Sequence, residues 1–299
     1  GIGIGIAGGA VVGQVLADRV EHGPGHQTGE RHTATEQEIH VPQRTGRAAP
    51  RRAWWTVMDT QTITLDTRDG AMPCYEAVPD ATAPRRGAVI VVQEAFGVND
   101  HIEDVTRRFA TTGYHAVAPH LFHRTGAPSF GYDDFNLVLE HMGALSDDGI
   151  LADLDAVMAH LSSLGWTPPA TGVVGFCMGG RVSFLLAAHQ PLGAAVGFYG
   201  GGIVTGRREE MPSLLDRIPS LHTPWLGLFG DEDQSIPVDE VEQLRVALEA
   251  APAPCEVVRY PGAGHGFHCD ARSSYAPEAA TDAWARTLAW LENHLAPPS

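Results

Sequence analysis

The chain predicts an α/β fold: a mostly parallel sheet of seven or eight strands, flanked by helices and without a large lid. Three observations carry this expectation. From about residue 58, short apolar runs alternate with stretches of helical length. Several of these runs, residues 87–93 foremost, are apolar throughout, as in strands covered on both faces. The segments between them are long enough for crossover helices, which bring successive strands into a sheet in parallel.

Taken in order, residues 61–67 and 72–78 read as a hairpin around Asp69-Gly70, a strong turn dipeptide. Residues 87–93 form the first buried strand. Residues 100–112 carry an amphipathic helical pattern stopped by Gly113. Residues 114–118 are the next strand, ended by Pro119, and 129–142 and 147–164 are expected helices. Residues 171–176 make a strand and 178–189 its helix. A strand at 194–199 runs into Gly200-Gly201-Gly202. A strand at 224–229, a helix at 238–250, a strand at 255–260 and a closing helix at 277–295 complete the pattern. Residues 1–57 differ: a glycine-rich apolar start is followed by a polar stretch with no periodicity. They read as a disordered or accessory extension, with Met58 a candidate first residue of the domain that spans 58–299.

Composition narrows the chemistry. The net charge of −16 disfavours nucleic acid and anionic membranes as partners. All 20 positive side chains are arginine. A Schiff base, a P-loop lysine and a Ser–Lys dyad are therefore excluded. Four cysteines with no CxxC spacing make neither a disulfide scaffold nor a zinc ribbon. The fifteen histidines include no HExxH, so neither metal nor cofactor is expected. No apolar run reaches 18 residues, which argues against a membrane-spanning helix and for a cytoplasmic protein.

In open parallel sheets, ligands bind beyond the carboxyl ends of the strands. The most informative such end is Gly175-Phe176-Cys177-Met178-Gly179-Gly180, between an apolar strand and an apolar helix. That is the setting of a nucleophile elbow, with cysteine where serine is usual. The glycines let strand and helix approach closely, and the helix N-terminus favours negative charge on the sulfur. An acid follows the 224–229 strand, as Asp231 or Asp233, and reach into the loop favours Asp233. His265 stands in Gly264-His265-Gly266 after the last strand. The order Cys…Asp…His is that of a hydrolytic triad: Cys177 attacks a carbonyl, His265 moves the proton, and the acid orients the ring. The backbone N–H groups of Met178 and Ala95 are the candidate oxyanion hole. Glu94 lies at the end of the first buried strand, where a carboxylate can also simply cap a helix. Phe96 and Tyr199 are candidate aromatic walls of a substrate pocket, and Arg207-Arg208-Glu209-Glu210 reads as a solvated loop or helix start.

These residues resemble the dienelactone hydrolase family (carboxymethylenebutenolidases) of the α/β-hydrolase fold. The matching pieces are residues 91–99 around Gln93-Glu94-Ala95-Phe96-Gly97, residues 174–180 at the elbow, 196–200, 230–237 and 264–267. The resemblance implies a triad of Cys177, Asp233 and His265. It also implies a glutamate, Glu94, that meets the resting thiol and helps form the thiolate when substrate binds. The substrate would be a small ester or lactone, and the enzyme a monomer or small homo-oligomer. Thioesterase or acyl-transfer chemistry on the same triad is the alternative, as is a non-catalytic, redox-responsive binder of small acids. Well-known members bind a substrate carboxylate with two arginines. Here Cys269 stands four residues past His265 where one would fall, leaving Arg272 and Arg124 as the substitutes.

Overall fold

The computed structural model describes residues 58–297. The expectation for residues 1–57 lies outside the described residues. Eight strands form one sheet in the order β1-β2-β4-β3-β5-β6-β7-β8. The hairpin strands β1 (Asp59–Thr67) and β2 (Gly70–Val78) pair antiparallel, and β2 pairs antiparallel with β4 (Tyr114–Pro119). From β4 onward the sheet is parallel through β3 (Gly87–Val92), β5 (Thr171–Phe176), β6 (Ala194–Phe198), β7 (Trp225–Gly230) and β8 (Cys255–Tyr260).

Every residue of β3, β4, β5, β6 and β7 is buried, which is why their sequences are apolar without alternation. Helices α1 (Asp100–Thr111), α2 (Phe135–Gly143), α3 (Asp147–Ser163), α4 (Met178–His189), α5 (Val238–Ala247) and α6 (Pro277–His294) accompany the sheet. Their ends follow local chemistry. The Ile102 N–H donates to Asn99 Oδ1 at the start of α1, and the Gly149 N–H donates to Ser146 Oγ at the start of α3. No helix among the described residues is long and apolar enough to cross a membrane.

The chain leaves β3 toward β4 on one side and β5 toward β6 on the other. The strand order therefore reverses between β3 and β5, the position where open parallel sheets form a crevice. The loops after these two strands carry Glu94, Ala95 and Cys177.

One expected helix is shorter than its pattern. Residues 129–134 are not helical, and α2 begins only at Phe135. Tertiary contacts claim the earlier segment: the Phe130 N–H donates to the Phe96 carbonyl (2.9 Å), and Asn99 Nδ2 donates to the Phe130 carbonyl. Gly131 adds a local break with its backbone bonded to Asp134.

Away from the crevice, a buried polar knot ties β1, β2, β4 and α3 together. Glu76 accepts from Gln61, and its Oε1 lies 2.8 Å from both His115 Nε2 and His160 Nε2. Trp166 donates to His115 Nδ1, which places the His115 proton on Nε2, facing Glu76. The bond from His115 is the main cause holding the Glu76 carboxyl down at about 2, against the pull of burial. A carboxylate lowered this way stabilises the fold above its unfolded value near 4.5, and that stability is lost as pH falls toward 2. On the other side of the sheet, burial lowers His268 to about 3. Its neutral ring favours the fold above about 6.5, and that contribution falls away as pH drops toward 3. Urea midpoints should therefore decline from pH 7 to pH 3, and Glu76→Gln should flatten the part below pH 4.5. An unchanged slope in that variant would refute the assignment.

Candidate active site

Cys177 sits between β5 and α4 with φ 54° and ψ −115°, a conformation non-glycine residues rarely adopt. The turn is possible because its flanks lack side chains. A Cβ on Gly175 would overlap the Gly179 carbonyl, and one on Gly179 would overlap the carbonyls of Val92 and Gln93. The turn is pinned by the Cys177 N–H donating to the Phe198 carbonyl and the Gly180 N–H donating to the Cys177 carbonyl, both 3.0 Å. The sulfur is held out at the head of α4, partly exposed.

The structure brings Cys177, His265 and Asp233 together from three strand ends. His265 Nδ1 lies 2.6 Å from Asp233 Oδ2, so Nδ1 carries the proton and Nε2 is left for the Cys177 sulfur. Asp233 is 5% exposed, and its second oxygen accepts from both the N–H and the hydroxyl of Ser235 (2.8 and 2.7 Å). Burial alone would raise the Asp233 carboxyl, but the bonds from His265 and Ser235 hold it below the usual range. Burial also works against a charged His265 ring. Its electrostatic and hydrogen-bond contacts with Cys177 and Asp233 outweigh that and raise His265 to about 10. Asp231, the other acid considered, is engaged by Arg259 at 2.7 Å.

A cavity of about 600 Å³ opens beside Cys177 and His265. Ala95 and Met178, the two residues named for an oxyanion hole, line it together with Cys177. Met178 is the first residue of α4, where an N–H has no preceding turn to accept it. Among the described residues, no group of three His, Cys, Asp or Glu side chains is arranged to hold a metal ion.

Glu94 is fully buried, and neither of its oxygens has a hydrogen-bond partner among the described residues. Arg272 Nη1 stands 3.6 Å away. The same guanidinium covers the rings of Phe96 and Tyr132. Cys269 is a free thiol that donates to the Tyr132 hydroxyl (3.1 Å).

The four side chains expected to contact substrate are placed as follows. Arg124 is bound to Asp69 and Asp153, with contacts of 2.6 to 3.0 Å, and does not line the cavity. Arg272 is likewise committed to Glu94 and the two rings. Phe96 packs edge-on against Tyr132 at 4.8 Å and lies outside the cavity lining. Tyr199 is fully buried at φ 38°, with its ring 5.1 Å from that of His265, so it backs the histidine instead of facing the cavity. Conversely, Arg207 and Arg208, read as a solvated loop, border the cavity, as do Met142 and Met211. The three glycines after β6 were the available signal that this loop folds closely over the site: Gly201 and Gly202 pack directly under Arg207.

Comparison with known proteins follows the same lines. A model of the dienelactone hydrolase family matches residues 72–295. A protein of Escherichia coli (strain K12) is 42% identical over 226 residues, covering 75% of this chain and 83% of that one. One from Methylorubrum extorquens (strain AM1) is 40% identical over 235 residues, covering 78% and 80%. Both bear the name "Putative carboxymethylenebutenolidase". A crystal structure from Klebsiella pneumoniae subsp. pneumoniae MGH 78578, likewise named for dienelactone hydrolase, is 41% identical with a TM-score of 0.72. It covers 78% of this chain and 98% of its own. The family model's span, and identity sustained over most of each chain, lead to one conclusion: this chain belongs to the dienelactone hydrolase family.

Proposed function

We propose that the protein hydrolyses small carboxylic esters or lactones through an acyl-enzyme on Cys177. The observation that carries this reading is the chain of contacts from sulfur to His265 to Asp233 at the edge of a cavity. It agrees with the name borne by the Escherichia coli and Methylorubrum extorquens relatives.

In the first step, the Cys177 thiolate attacks the carbonyl carbon and forms a C–S bond. The carbonyl electron pair moves onto oxygen, where the N–H groups of Met178 and Ala95 receive it. The pair returns, the bond to the leaving alkoxide breaks, and His265 Nε2 gives the alkoxide its proton. Water then attacks the thioester while neutral His265 takes a proton from it. Collapse of the second oxyanion releases the acid and restores the thiolate beside a protonated ring. Asp233 keeps the His265 Nδ1 proton in place through both steps. Glu94 acts before this cycle begins, as the carboxylate that the family resemblance has meeting the resting thiol and helping to form the thiolate when substrate arrives. Its buried oxygens have no hydrogen-bond partner among the described residues, and Arg272 is the cation nearest to it.

The test is direct trapping. Mixing enzyme with p-nitrophenyl acetate should release a burst of p-nitrophenol equal to the enzyme present. Acid quenching should then leave an acetyl group on the peptide that contains Cys177. Turnover with the acetyl group elsewhere, or with none at all, would sink the scheme.

A further inference from the structure

Three of the chain's six methionines, Met142, Met178 and Met211, line the cavity, together with Leu139. They come from separate places: α2, the first residue of α4, and the loop after β6. Methionine side chains are flexible and polarisable, and they adapt to irregular apolar shapes. Leu139 is 55% exposed. Apolar side chains left in water beside a cavity extend the surface a ligand can cover.

Two of the three arginines that line the cavity, Arg181 and Arg208, are engaged by the protein itself. Arg181 reaches its wall but is spent on Asp147 and on the carbonyls of Gly202 and Pro212. Arg208 donates to the carbonyls of Met142 and Leu145 and pairs with Glu210. Arg207 and Glu232 stand exposed and carry opposite signs. Arg124 and Arg272 are committed elsewhere. Arg207 is exposed, so a carboxylate drawn in among the methionines would lose its hydration with no buried cation left unengaged to meet it. A hydrocarbon chain would lose nothing.

Resting on the cysteine-hydrolase reading above, we propose that the acyl group this site takes is an uncharged apolar chain of medium length, not a carboxylated one. Its methylenes lie along Met142, Met178 and Met211, and its end emerges past Leu139. At about 600 Å³, the cavity falls within the range that accommodates drug-sized ligands, well beyond what an acetyl group fills.

The experiment measures kcat/KM for p-nitrophenyl acetate, butyrate, hexanoate and octanoate. Alongside them runs the mono-p-nitrophenyl ester of adipic acid, which matches hexanoate in length but ends in a carboxylate. Values should climb from acetate to hexanoate by up to about fourfold per methylene buried. The adipate half-ester should lie about tenfold or more below hexanoate. Met211→Trp, which narrows the cavity, should lower the octanoate-to-acetate ratio about fivefold or more, and Met211→Leu should preserve it. A decline from acetate onward, or a preference for the half-ester, overturns the proposal. If no ester is turned over, the hydrolase reading fails and the cavity is judged by binding. Hexanoate should then slow alkylation of Cys177 by iodoacetamide at lower concentration than adipate does. The reverse order, or protection by neither, overturns it.

Discussion

Cys177→Ala is expected to lower kcat/KM for a p-nitrophenyl ester by a factor of ~10⁴ or more while leaving the unfolding midpoint unchanged. The two halves of that result have separate causes. Alanine keeps the Cβ, so the strain of φ 54° stays, and only the partly exposed sulfur is lost. Cys177→Gly should be equally inactive yet more stable than the alanine variant by about 1 kcal/mol. Glycine adopts that backbone freely, whereas other residues pay on the order of 1–3 kcal/mol, partly offset by glycine's larger entropy loss on folding. His265→Ala should lose nearly as much activity as Cys177→Ala, and the double variant little more, because the two act as a unit. Activity within tenfold of wild type in Cys177→Ala would remove the sulfur from the mechanism.

The strands were legible because their environment is uniform. A strand buried on both faces reads as an unbroken apolar run, and the expected bounds of 171–176 and 178–189 coincide with β5 and α4. The residues at strand ends were legible for a topological reason: a parallel sheet places every such end on one edge, so Cys177, Asp233 and His265 meet although 88 positions separate the first and last. What stayed hidden depended on partners far along the chain. Arg124 reads as a free cation in sequence, yet its acids lie 55 and 29 positions away, at Asp69 and Asp153. Residues 129–134 carry a helical pattern but are held by the loop after β3. The methionines of the cavity wall had no signature as a group, since Met142, Met178 and Met211 are scattered and each alone suits any core.

The buried pair Arg181–Asp147 supports the largest expected change in stability. Arg181 is 1% exposed on α4, and two of its nitrogens meet the two oxygens of Asp147 at 2.5 and 3.0 Å. Its remaining donors go to the carbonyls of Gly202 and Pro212, at either end of the loop that carries Arg207 and Met211. The Asp147 N–H in turn donates to the Glu210 carbonyl of the same loop. Asp147→Ala strands a buried guanidinium that cannot shed its proton, so urea unfolding should show a loss of about 3–5 kcal/mol. Against a total stability on the order of 5–15 kcal/mol, that is a large share. The cost should come from the orphaned charge more than from the lost attraction, which the double variant can separate. Asp147→Leu with Arg181→Met removes both charges and should recover at least about half of the loss. Activity should follow a different course from stability. With the loop untethered in the double variant, KM should rise while kcat holds, because the proposed triad of Cys177, Asp233 and His265 follows β5, β7 and β8 and does not stand on the loop. A double variant no more stable than Asp147→Ala would mean that the pair itself, with its bonds to the loop, holds these elements together.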